Sequence, residues 1–97
     1  MLKLLVIEDH ALVREGLVQT LHQLDSKVVV AEAADCESGC SILAQAADFD
    51  LVLLDLALPG IDGLTCLNLL RQRHPALPVV IVSAYDDAHT VNRALKG

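Results

Sequence analysis

The sequence predicts an α/β protein built on a doubly wound parallel sheet, and three observations carry that reading. Short, continuous apolar runs recur along the chain (Leu4-Leu5-Val6-Ile7, Leu51-Val52-Leu53-Leu54 and Val79-Val80-Ile81-Val82), as expected of strands buried on both faces. Segments of helical periodicity alternate with them, so each crossover helix must pack back on the sheet and the strands run parallel. Two of the runs finish in carboxylates, Glu8-Asp9 after the first and Asp55 after Leu54. An ionised carboxylate at the end of a buried strand is costly unless a cation meets it.

The elements follow in order. Lys3–Glu8 reads as the first strand. A helix is expected from about Ala11 to Gln23, with Val13, Leu17, Leu21 and Leu24 tracing one apolar face. Arg14, Glu15, Gln19, His22 and Gln23 fall elsewhere on it and are expected in solvent. Asp25-Ser26 makes a turn into a β-branched second strand, Lys27–Ala33. Asp35 is a good N-cap for a second helix, about Cys36 to Ala46. Asp48-Phe49-Asp50 leads into the third strand, Leu51–Asp55. The Pro59-Gly60 turn and Asp62-Gly63 precede a third helix, roughly Leu64 to Arg73. Pro75 and Pro78 bracket the loop before the fourth strand, Val79–Ser83, and Asp86-Asp87 opens a fourth helix, about Ala88 to Lys96.

The 97 residues make one domain, 1–97, with no internal repeat, low-complexity segment or linker. An apolar content of 54% argues for a packed core. No apolar run approaches the roughly 18 residues of a membrane span, and Met1-Leu2-Lys3 enters a strand without a signal-peptide pattern. A cytoplasmic location, away from membranes, is therefore expected. The formal charge of −6 and the scattered basic residues argue against direct binding to a phosphate backbone. Phe49 and Tyr85 are the only aromatic residues, too few for base stacking. Cys36 and Cys40 share a helix at a spacing that can put two thiolates on one face, but further metal ligands with suitable spacing are not evident. Together with Cys66 they are expected as small, half-buried residues in a reducing cytosol.

In open parallel sheets, ligands bind beyond the carboxyl ends of the strands. Glu8 and Asp9, Asp55 and Ser83 are delivered there by the first, third and fourth strands. Three carboxylates in one pocket require a counter-charge. A hard cation such as Mg²⁺ suits them, since it takes one or two carboxylates and completes its shell with water and phosphate oxygens. A carboxylate can also act as a nucleophile and form an acyl phosphate, and phosphoryl transfer mainly needs a positioned acceptor and charge neutralisation. The hydroxyl of Ser83 can then hydrogen-bond the new phosphoryl oxygens. Structural roles compete with these: Asp9 can cap the first helix, Asp62 suits a turn, and Asp86 and Asp87 suit the start of the fourth helix. His10 reads as a lone surface histidine.

The blocks Val6-Ile7-Glu8-Asp9-His10, Leu53-Leu54-Asp55-Leu56, Leu58-Pro59-Gly60 with Asp62-Gly63, and Val82-Ser83-Ala84 resemble the receiver domain of bacterial two-component response regulators, in order and over essentially the whole chain. The segment from Asp9 to Leu17 is similar to receivers of the NarL/LuxR subfamily. The resemblance implies a flavodoxin/CheY-like sheet of order 2-1-3-4. It implies Asp55 as phosphoacceptor, Mg²⁺ on Glu8, Asp9, Asp55 and the backbone carbonyl of Ala57, and Ser83 as switch hydroxyl. It also implies a sensor histidine kinase as phosphate donor and, through a DNA-binding output domain absent from these residues, a link to transcription. Such a domain is not an enzyme, and at most assists its own phosphotransfer and dephosphorylation.

Receivers continue past the fourth helix into a fifth strand bearing a lysine and an aromatic residue, and then a fifth helix. This sequence stops at Arg93-Ala94-Leu95-Lys96-Gly97. It is expected to be a receiver truncated after the fourth helix, naturally or by design, with neither Lys96 nor Tyr85 replacing the missing residues. The fourth strand would then be an unpaired, apolar edge that recruits a second copy, giving a homodimer or higher oligomer. A non-switching interaction or dimerisation module is the alternative function. A haloacid-dehalogenase-like phosphohydrolase is a distant third, because the second aspartate that family places two residues after the first is Ala57 here.

Overall fold

A computed structural model describes residues 2–46, 48–55 and 63–82. The elements are β1 (Lys3–Ile7), α1 (Ala11–Leu24), β2 (Val29–Ala33), α2 (Cys36–Gln45), β3 (Leu51–Asp55), α3 (Gly63–Arg73) and β4 (Val79–Val82). All strand pairs are parallel and the order is β2-β1-β3-β4. This is the doubly wound sheet the sequence predicts, with boundaries shifted by a residue or two. The expected fourth helix, 88–96, lies outside the described residues, as do Ala57, Pro59-Gly60, Asp62, Ser83, Tyr85, Asp86-Asp87 and Lys96. Among the described residues, no helix is long and apolar enough to cross a membrane.

The continuous apolar runs are explained by two cores, one on each face of the sheet. Alternate residues of a strand point to opposite faces. Leu5, Ile7, Val52 and Leu54 pack with Cys36 and Leu43 of α2 and with Cys66 and Leu70 of α3. Leu4, Val6 and Leu53 pack on the other face with Leu17 and Leu21 of α1 and with Val82. The side chains of β1 from Leu4 to Ile7 are therefore fully buried whichever way they point. Edge strand β2 is less buried, with Val29 and Glu32 exposed.

Helix α2 lies close against β1 because Gly39 has no side chain. A Cβ built there would stand 2.6 Å from Ile7 Cδ1. The expected cap is present, with Asp35 Oδ1 accepting from the Ser38 amide at 2.7 Å. At the amino edge of the sheet, Lys3 reaches Asp48 at 2.7 Å and lies 4.6 Å from the centre of the Phe49 ring, while its amide donates to Asp50.

Three expectations are corrected. Leu24 is 44% exposed rather than part of the buried stripe, because α1 ends there and the chain turns away at Asp25. Arg14 is not simply solvated: its Nη1 donates to the Glu8 carbonyl at 2.7 Å and its Nε meets Glu32 at 3.2 Å. Cys36 and Cys66 are not half-buried thiols but a buried disulfide, with Cα atoms 5.9 Å apart. The chain separates them by 30 residues, and the packing of α2 and α3 on one face of the sheet brings them together. Cys40 is free.

Candidate functional site

The parallel register creates the acidic pocket. Ile7 lies opposite Leu54 across the β1–β3 pair, so the residues that follow them, Glu8 and Asp55, emerge side by side at the carboxyl edge. Both are buried, with 2% and 9% of their surface exposed, and their side chains are hydrogen-bonded. Asp9 and His10 continue from Glu8 before α1 begins. One ligand atom each from Glu8, Asp9, His10 and Asp55 can be chosen so that all lie within 4.8 Å of one another.

Backbone contacts hold the turn that presents these groups. The Glu8 amide donates to the Ala33 carbonyl at the end of β2, at 3.0 Å. The Glu8 carbonyl accepts from Arg14. The guanidinium is therefore committed to the backbone and to Glu32, leaving His10 as the basic side chain that the described residues bring against the pocket. His10 Nδ1 lies 2.9 Å from Glu8 Oε1 and 3.1 Å from Asp9 Oδ1, and the His10 amide donates to the same Glu8 oxygen. The N-cap of α1 is His10 rather than Asp9, and it makes no side-chain cap bond.

Burial disfavours the charged form of Glu8, and the hydrogen bond with Asp55 favours its protonated form. Together they push the Glu8 carboxyl up to about 7, against the opposing pull of His10. His10 is itself raised, first by its hydrogen bond to Glu8 and then by the charge of Asp9.

The oxygen-rich pocket fits a hard divalent cation. Asp9 Oδ1 is buried and makes no hydrogen bond among the described residues; the nearby His10 Nδ1, at 3.1 Å, lies closer still to Glu8 Oε1, at 2.9 Å. A buried carboxylate oxygen that makes no hydrogen bond is costly, and a cation removes that cost.

Of the residues singled out from the sequence, the structure brings together Glu8, Asp9 and Asp55. Ala57 and Ser83 lie outside the described residues. Sequence reasoning missed His10 and Arg14 as members of the pocket's structure. The adjacency of His10 to Glu8-Asp9 was the available signal for the first. The second had none, because Arg14 reaches Glu8 only once α1 docks on the sheet.

Comparison with known proteins identifies the family and the fold. The chain matches the response regulator receiver domain family over residues 4–97. It is 42% identical over 95 residues to the glycerol metabolism activator of Pseudomonas putida, covering 98% of this chain and 43% of that protein. It is 38% identical over 93 residues to the nitrate/nitrite response regulator protein NarL of Escherichia coli K12, covering 96% and 43%. Its fold superimposes with a TM-score of 0.79 on the response regulator protein TrrA of Thermotoga maritima in complex with Mg²⁺–BeF, at 27% identity over 88% of this chain and 71% of that one. The chain thus spans under half the length of the curated relatives it matches.

Proposed function

From the premise that this chain belongs to the response regulator receiver domain family, we propose that Asp55 is its phosphoacceptor and that Glu8, Asp9 and Asp55, with the Ala57 carbonyl, hold Mg²⁺. Receivers are signalling domains of two-component systems, phosphorylated by sensor histidine kinases. Membership of this family replaces the phosphohydrolase reading. The observation that carries the assignment is the convergence of Glu8, Asp9 and Asp55 within one 4.8 Å cluster at the sheet's carboxyl edge, with Asp9 Oδ1 buried and making no hydrogen bond among the described residues.

The residues divide the work. Asp55 offers the attacking oxygen, held at the end of a strand whose side chains from Val52 to Leu54 are buried, so that its position is set by the core rather than by a loop. The phosphohistidine of the kinase supplies the phosphoryl group: the new O–P bond forms at Asp55 as the N–P bond breaks. Mg²⁺, when bound, neutralises charge on the carboxylates and on the phosphoryl oxygens. Glu8 and Asp9 orient toward that position, and Glu8 must give up its proton first. Ser83, at the end of the fourth predicted strand, is the hydroxyl that senses the modified aspartate. The chain at most assists its own phosphotransfer and dephosphorylation.

The proposal extends to location and partners: a cytoplasmic protein whose effect on transcription, in keeping with relatives named as an activator and a response regulator, passes through a DNA-binding output domain. Self-association along β4 belongs to the same proposal, supported by the apolar, β-branched make-up of that strand and the partial exposure of Val79, Val80 and Ile81.

The test is phosphorylation mimicry. Adding Mg²⁺ with beryllofluoride should shift the amide resonances near Asp55 and Ser83 saturably, and Asp55→Asn should abolish the response. A wild-type protein that responds no differently from Asp55→Asn would point instead to a non-switching interaction module.

A further inference from the structure

Apart from the acidic pocket, the described residues hold a second cluster of reactive side chains, where α2 meets α3. Cys36 opens α2 and Cys66 lies near the start of α3. Both are at most 1% exposed, within the core between the two helices and the sheet, and they are disulfide-bonded. Cys40 sits one turn further along α2. It is free and only partly buried, and its Sγ lies 4.0 Å from that of Cys36. It also lines an open groove of about 320 Å³ between α2 and α3, with Glu37, Ser41, Leu69 and Arg73.

Thiol–disulfide exchange requires the attacking sulfur to reach the sulfur it attacks. In the folded protein a reagent in solution cannot touch Cys36 or Cys66, but it can touch Cys40 through the groove, and Cys40 touches Cys36. A disulfide in a reducing compartment is also more often a reversible device than a permanent staple. We propose that Cys40, Cys36 and Cys66 form a thiol–disulfide exchange site at which a small-molecule disulfide oxidises the α2–α3 pair by way of Cys40. This inference stands independently of the phosphoacceptor assignment.

The steps balance. Starting from three thiols, the Cys40 thiolate attacks one sulfur of the reagent, forming a mixed disulfide and releasing one reagent thiolate. The Cys36 thiolate then attacks the Cys40 sulfur, forming Cys36–Cys40 and releasing the second. Finally the Cys66 thiolate attacks the Cys36 sulfur, forming Cys36–Cys66 and returning Cys40 as a thiolate. Two protein thiols have lost two electrons and two protons, and the reagent disulfide has become two thiols. Excess thiol drives the same path backwards. The product ties α2 to the beginning of α3, the next described element after Asp55.

The experiment uses the 97-residue chain, reduced, freed of reductant and mixed without oxygen with oxidised glutathione, then quenched with iodoacetamide and mapped by peptide mass spectrometry. A Cys40–glutathione adduct should appear first and decay as Cys36–Cys66 accumulates, leaving Cys40 open to alkylation. Cys40→Ser and Cys40→Ala, each checked for native circular dichroism, should form Cys36–Cys66 at least about tenfold more slowly. In urea, where all three sulfurs are accessible, that difference should vanish. Equal rates for wild type and both folded variants, or no Cys36–Cys66 bond in the wild type, would overturn the proposal. Neither result bears on the beryllofluoride response, so the two readings fail separately.

Discussion

The side chains of Glu8 and Asp55 are hydrogen-bonded across the ends of neighbouring parallel strands, in a pocket that buries both. Burial and that contact both disfavour the charged form of Glu8, whose carboxyl is pushed from 4.5 to about 7.

A pH dependence follows, and its sign is fixed by linkage. The folded protein binds the Glu8 proton more tightly than the unfolded chain does. The stabilisation is therefore complete below 4.5 and is lost as the pH rises through about 7. His10, raised above 6.5, acts in the same direction over its own range. Asp35 and Asp48 are lowered, by the Ser38 amide and by Lys3, and their contribution is lost only as the pH falls below 3.8. Without metal, urea midpoints should decline from pH 5 to pH 8, and Glu8→Gln should flatten the decline. Mg²⁺ competes for the site occupied by that proton. Its affinity, measured by calorimetry, should rise over the same interval, and a pH-independent affinity would refute the raised proton affinity of Glu8.

The two helical glycines should respond oppositely to alanine. At Gly16 an added Cβ meets nothing within 4 Å, so Gly16→Ala should stabilise by up to about 1 kcal/mol through helix propensity. At Gly39 the added carbon would stand 2.6 Å from a fully buried Ile7. Overpacking of that kind costs about 1–3 kcal/mol, which should offset or exceed the propensity gain. Urea denaturation of the two variants side by side decides it.

Reduction should weaken the fold. Cys36 and Cys66 are 30 residues apart, and closing a loop of that length is worth about 3–4 kcal/mol in the chain-entropy model. The oxidised protein should unfold at a higher urea concentration than the same protein in a phosphine reductant, and the double variant Cys36→Ser/Cys66→Ser should be insensitive to the reductant.

Along β4, Val79, Val80 and Ile81 are half-buried, and the strand pairs with β3 alone among the described residues. An apolar β-branched edge recruits another strand. Light scattering at micromolar concentration should report a dimer or larger species, and Ile81→Lys should shift it toward monomer. A monodisperse monomer would sink the self-association proposal.

The fold class and the three carboxylates of the pocket were legible in the sequence because both are written locally. A run such as Leu51–Leu54 announces a doubly buried strand whatever surrounds it, and Asp55 at its end must then emerge at the sheet's carboxyl edge. The Asp35 cap was equally local, three residues from the amide it satisfies. What the tertiary structure alone decided are relationships between distant segments. The β1–β3 register sets Glu8 beside Asp55 and, with burial, raises its proton affinity. Docking of α1 carries Arg14 to the Glu8 carbonyl. Packing of α2 and α3 on one face joins Cys36 to Cys66 and leaves Cys40 as the way in. Periodicity reports which side of an element is buried, but not which side chain it is buried against. Pairing and proton affinity depend on that neighbour, and the neighbour exists only once the sheet has formed.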